Sequence, residues 1–108
     1  MATRQRPIDR GRERAGRLLV ELGRELRDAR VAAGLGQRAV AAAAGTDAAQ
    51  ISRLERARMP DASLRSFCVP FAVLGLRLSA RAYPEGDPIR DAAHARLLER
   101  SERSCRPR

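Results

Sequence analysis

Apolar positions along the chain recur at helical spacing in several places. Leu18, Leu19, Leu22, Leu26, Ala29 and Ala33 fall on one stripe, the signature of a helix that buries one face. Gly34 ends this helix, and Leu35 is placed to pack back over its end. Val40, Ala41 and Ala44 share a face of a second helix, from about Gln37 to Ala44,. Gly45 then supplies a left-handed residue without a Cβ penalty. Asp47 is a good N-cap for a third helix over about 47–56,. In that helix Ile51 and Leu54 point inward, while Gln50 and Arg53 share the opposite, exposed face. Asp61 or Ser63 caps a fourth helix over 62–74, with Leu64, Phe67, Phe71 and Leu74 on its inner side. Pro70 interrupts the run, removing a backbone donor and pushing Val69 away from helical angles. A kinked or split helix is expected there.

The flanks read differently. Residues 1–17 hold only Ile8 and small residues as apolar content. Burial cannot offset their ordering entropy, so they read as a disordered basic arm. Leu76 to Tyr83 alternates with period two, the pattern of a strand,. No second alternating run exists to pair with it, so it is either an extended connector or pairs with the same stretch of another subunit. Pro84 to Asp87 is a turn. Asp87-Pro88 then starts a helix reaching about Ser101, with Ile89, Ala92 or Ala93, and Leu97 inward,. The predicted architecture is all-α: a four- to five-helix domain over 18–78, with the arm before it. A connector and C-terminal helix over 79–108 follow, offering a packing or dimer surface.

Charge sharpens this picture. The 108 residues leave room for one domain, with a net charge of +9,. All 22 basic residues are Arg, and Ala occurs 20 times, a bias that GC-rich coding also produces. Residues 1–17 carry +4, residues 18–83 carry +4 and residues 84–108 carry +1. Positive charge on the arm and the domain suits a polyanionic partner through counterion release. The arm could track phosphates or enter a minor groove, or be a tail without a role. Cys68, Cys105 and His94 have no zinc-ligand spacing, and no Cys-x-x-Cys is present,. Cys68 is expected as a buried thiol, Cys105 as a tail residue and His94 as a surface residue, all suited to a reducing compartment. No apolar run is long enough for a membrane span, and no apolar stretch follows the N-terminal arginines as in a secretory signal. A phosphate-binding glycine loop, a metal cluster and an acid–base constellation are all lacking, so no enzyme activity, cofactor or metal is expected.

Two short helices, a glycine turn and a polar outer face make a helix-turn-helix pattern, which sets its second helix into a DNA major groove. From Leu22 to about Leu78, roughly half the chain, the sequence resembles the lambda-repressor-like (Cro-type, XRE-family) helix-turn-helix proteins. The resemblance is carried by Leu22, Leu26, Arg30, Gly34-Leu35, Gln37, Val40-Ala41, Ala44-Gly45, Ile51-Ser52-Arg53-Leu54-Glu55 and Leu74-Gly75-Leu76. It implies a structural ion pair between Arg30 and Glu55 that locks the first helix to the third. It also implies base-reading positions at Ala48, Ala49, Gln50, Ser52 and Arg53, and a phosphate contact at Gln37. Ala48 and Ala49 offer only methyl groups, for instance to thymine. Gln50 suits adenine and Arg53 suits guanine, each worth roughly 1–3 kcal/mol of discrimination. Arg38 sits where a helix N-terminus favours phosphate, or is a solvated charge. Arg56 and Arg58 follow the recognition helix and meet the phosphate backbone in this reading. Two departures stand out. Gly36 replaces the usual Ser, Thr or Asn cap, costing roughly a few tenths of a kcal/mol. Ala57 replaces a Gly, and costs about 1 kcal/mol if it must go left-handed.

The expected function is sequence-specific binding of double-stranded DNA by a cytoplasmic, nucleoid-associated regulator of bacterial or phage-like type. Such a protein represses by occupying an operator, and a homodimer would read half-sites about 34 Å apart. The alternative is an antitoxin or another protein-interaction module whose C-terminal part holds a partner protein. The run from Tyr83 to His94 is similar to the linker by which some bacterial Cro-type proteins lead into a second domain, which raises a truncated member as a further alternative.

Overall fold

A computed structural model describes residues 5–88. Four helices follow one another: α1 (Pro7–Ala32), α2 (Gln37–Ala44), α3 (Ala48–Glu55) and α4 (Leu64–Val73). No strand occurs among the described residues, and no helix among them is long and apolar enough to cross a membrane.

The expected disordered arm is corrected first, because α1 begins at Pro7 rather than near Leu18. Pro7 occupies the start of the helix, where its missing N–H is not needed and its φ is already helical,. Asp9 in the first turn accepts from Arg6 at 3.0 Å, and Glu13 accepts from Arg17 at 2.7 Å and from Gln5 at 2.7 Å. Burial was the wrong criterion for this stretch. Once residues further along are held in a helix by the core, extending it needs no new nucleus. Arg and Glu are also good helix formers.

All four helices close with the same hydrogen-bonded turn, in which the residue after a left-handed one donates to a carbonyl five positions back. The bonds are Leu35 N to Arg30 O, Thr46 N to Ala41 O, Arg58 N to Arg53 O and Leu76 N to Phe71 O, at 2.8–3.2 Å. Each requires a left-handed residue, which is glycine in three cases,. The exception is Ala57, at φ 54°. It therefore carries the cost of about 1 kcal/mol expected for a Cβ in that conformation.

The helices enclose two adjoining apolar clusters. Leu26, Leu54, Phe67 and Phe71 form one, and Val40, Ala41 and Ile51 the other, with Leu74 packed against both. On the predicted α1 stripe Leu26 is fully buried and Leu19, Leu22 and Ala29 partly so, while Leu18 and Ala33 lie at the surface. Gly23 is buried between them. A Cβ built there would lie 2.3 Å from the Leu54 carbonyl oxygen and 2.9 Å from that of Glu55. The bare backbone of α1 thus rests directly on the last turn of α3.

α4 departs from expectation at three residues. Leu64 is exposed rather than inward, because the first turn of α4 runs past the core and Leu64 borders an open cleft with Leu18, Leu22 and Leu78. Cys68 is an exposed free thiol rather than a buried one, since it lies one residue round the helix from the buried Phe67,. Pro70 does not split the helix, which runs through it from Leu64 to Val73. Its ring is buried, and only the bond from its own nitrogen is lost, while its carbonyl still accepts from Leu74 N at 3.1 Å,.

Within this chain Leu76 to Tyr83 forms neither strand nor helix and runs as a connector. It turns back along α1: Leu76 to Ser79 border Glu25 and Asp28, and Ala80 to Tyr83 border Leu18 and Arg14. Gly86 reaches the level of Arg10. The expected C-terminal helix beyond Pro88, with His94 and Cys105, lies outside the described residues.

Candidate nucleic-acid interface

α2 and α3 are joined by Gly45, Thr46 and Asp47. Gly45, at φ 74°, ends α2, and the Asp47 carboxylate accepts from Gln50 N at 2.8 Å to start α3. These two local devices set the angle between the helices, and the burial of Val40, Ala41 and Ile51 between them holds it. With Ile51 at 0% and Leu54 at 1% exposure, the opposite side of α3 is forced outward. Arg53 and Ala49 are exposed there, and Ala48, Gln50 and Ser52 are half-buried. Gln50 borders a recess of about 360 Å³ between the Gly45–Thr46 turn and the α4 residues Ser66 and Arg65. The proximity of α4 to Gln50 had no local signal in the sequence beyond the Ser63 cap, whose hydroxyl accepts from Ser66 N at 3.2 Å.

Arg38, at the α2 N-terminus, is exposed, as are Arg56 and Arg58 after α3. None of Arg38, Arg53, Arg56 and Arg58 is paired with a carboxylate among the described residues, where the ion pairs are Arg6–Asp9, Arg17–Glu13 and Arg30–Glu55. The α2 N-terminus has no side-chain cap, because Gly36 stands in that position. Its backbone N–H groups remain free to meet an anion.

Behind this surface lies the fork of Arg30 and Glu55. Arg30 Nε donates to Glu55 Oε2 at 2.6 Å, and Nη2 donates to Oε1 at 3.0 Å. Nη1 donates to the Leu35 carbonyl at 2.9 Å, tying the α1 terminus into the same network. The hydrogen bond to Glu55 raises the Arg30 pKa above its ordinary value, so the guanidinium is charged at every relevant pH. Gln37 is drawn in as well, its Nε2 donating to Glu55 Oε1 at 3.1 Å. This partner of Gln37 was not foreseen, since 18 residues separate the two. Gln37 Nε2 carries a second N–H that this bond leaves free. Among the described residues no buried side-chain nitrogen or oxygen lacks a partner, and no group of His, Cys, Asp and Glu could hold a metal ion.

An outward polar helix face, a glycine turn and exposed arginines can bind an extended polyanion and contact base edges. No curated protein and no solved structure matches the chain. A family model described as a helix-turn-helix domain does match, over residues 21–78, more than half of the sequence. That span runs from within α1 to the start of the connector, in keeping with the Cro-type resemblance. The chain belongs to the helix-turn-helix domain family, a DNA-binding fold.

Proposed function

We propose that the protein is a sequence-specific DNA-binding regulator, most simply a bacterial transcriptional repressor, that lays α3 along the base-pair edges of a major groove. The observation that carries this reading is the division of α3: Ile51 and Leu54 lie in the core while Arg53 and Ala49 stand at the surface. Arg38, Arg56 and Arg58 dock on phosphates, helped by the second N–H of Gln37 and by the uncapped start of α2. Arg53 reads guanine and Gln50 adenine, while Ala48 and Ala49 contribute methyl contacts and Ser52 an adaptable hydroxyl. Arg30 and Glu55 hold α1 to α3 and keep the reading helix at a fixed angle. Two copies on a palindromic site would place their α3 helices about 34 Å apart.

Binding selection on random duplex DNA, titrated with salt, tests the assignment. The wild type is expected to enrich a short consensus. Arg53→Ala is expected to relax the preference at one position by roughly 1–3 kcal/mol while keeping most of the salt dependence. Equal weakening on all sequences would remove Arg53 from the base-reading set.

A further inference from the structure

Two further arginines lie beside Arg56 where α1 crosses the end of α3. Arg24 and Arg27 lie on α1, and Arg56 is the residue that closes α3. Together with Val20, Glu55 and Ala57 they line one recess of about 190 Å³. Gly23 makes the meeting possible, because any Cβ there would hold the two helices apart. The only carboxylate in the recess, Glu55, has a side chain 2% exposed and already accepts three hydrogen bonds from Arg30 and Gln37. Glu21 and Asp28 stand at helical spacing from Arg24, yet neither forms an ion pair with it, and Arg27 and Arg56 likewise pair with no described residue. Three arginines that line one recess without a carboxylate partner of their own leave their guanidinium donors open to a ligand,. An anion with several acceptor oxygens meets such donors, and a phosphate fits the fork geometry of arginine.

We propose that Arg24, Arg27 and Arg56 form a phosphate-binding site that carries the DNA contact beyond α3 and onto α1. The inference rests on the DNA-binding reading above. Its ligand is a backbone phosphate of the same duplex, outside the bases that α3 reads. The site adjoins Arg58, two residues past Arg56, so it continues the track of positive charge rather than starting a separate one. Arg24 and Arg27 also stand near the negative end of the α3 dipole. That role would contribute to stability but leave DNA affinity and its salt dependence alone.

The test uses the full chain and two duplexes, one bearing the selected consensus and one of random sequence, over a series of salt concentrations. Arg24→Gln/Arg27→Gln is expected to bind both duplexes more weakly by the same factor. The slope of log K against log salt should fall in magnitude by about 0.9 to 1.8, for one or two lost phosphate contacts. Thermal melting checks that the variant is folded, and Arg24→Lys/Arg27→Lys, which keeps the charge, is expected to keep most of the slope. Unchanged affinity and slope in the folded Gln variant would overturn the proposal while leaving the reading of α3 intact. A slope lost equally in the Lys variant would overturn it too. Wild type that binds neither duplex would bring down the DNA-binding reading and this site with it, whereas an altered preference in Arg53→Ala beside an unaffected Gln variant would sink the site alone.

Discussion

The two halves of α1 are one continuous helix held by different forces. From Pro7 to Arg17 the side chains are mostly exposed, and the specific contacts are short-range: Arg6 with Asp9, and Glu13 with Arg17 and Gln5. Contacts of this kind between exposed side chains hold a helix only weakly. Further along, Gly23 touches α3 backbone, Leu26 is fully buried and Arg30 forks onto Glu55. Gly16 and Gly23 make the contrast concrete. A Cβ at Gly16 meets nothing within 4 Å, and one at Gly23 meets two carbonyl oxygens. The same residue type is a local weakness in one half and a requirement of packing in the other.

Three measurements can break this comparison, the largest effect first. Arg30→Ala strips Glu55 of two of its three hydrogen bonds while that carboxylate stays buried. Removing one partner of a buried pair costs about 3–5 kcal/mol. The lower end is expected here, because the Arg30 side chain keeps 13% of its exposure. Urea unfolding followed by circular dichroism reads the change directly. A loss below about 1 kcal/mol would place the pair among ordinary surface pairs and erase the distinction between the halves.

Next in size are two glycine substitutions of opposite sign. Gly23→Ala is expected to destabilise by about 1–3 kcal/mol, because the helices must separate to admit the methyl group. Gly16→Ala is expected to favour the helix by about 0.5–1 kcal/mol, since it removes backbone freedom from the unfolded chain and meets open space. Helicity and unfolding midpoints of the two variants, measured side by side, decide the matter. Changes in the same direction would mean that α1 does not rest on α3 as described.

The smallest effect is a pH dependence confined to the first half. Glu13 has its pKa lowered, first by the hydrogen bond from the Gln5 amide and then by the Arg17 charge. A carboxylate whose folded pKa is depressed contributes its stabilisation above the ordinary carboxylate range. It loses that contribution as pH falls through the lowered folded value. Acidification should therefore fray residues 7–17 before the domain unfolds, seen as loss of helical carbon shifts in that segment by NMR. Glu13→Gln should lessen that response to acid, and a wild type whose first turns ignore acid would show that the contacts of Glu13 do not hold them.

Much of the domain was legible because its signals are local. Gly45 and Asp47 stand within a few residues of the bonds they make, and α2 runs over the Gln37–Ala44 span that the apolar spacing predicts. The inward Ile51 and Leu54 follow from the 3.6-residue period alone. Leu64 and Cys68 are exposed against the apolar spacing, because periodicity gives the face of a helix but not how far along it the core extends. The start of α1 carries no apolar signal, because a helix already nucleated elsewhere continues through charged residues,. The fork between Arg30 and Glu55 spans 25 residues, and only the family resemblance suggested it.

By itself, then, the sequence determined α2 and α3, the Gly45 and Asp47 signals between them and the polar face of α3, since each depends on hydrogen bonds and side-chain spacing within one or two helical turns. Tertiary structure alone decided which helix lies across which. Gly23 seats α1 on the end of α3, Gln37 is drawn to Glu55, and Arg24 and Arg27 are brought up to Arg56. Residues tens of positions apart become neighbours through the crossing of rigid helices, and no pattern confined to a short stretch of chain encodes that crossing.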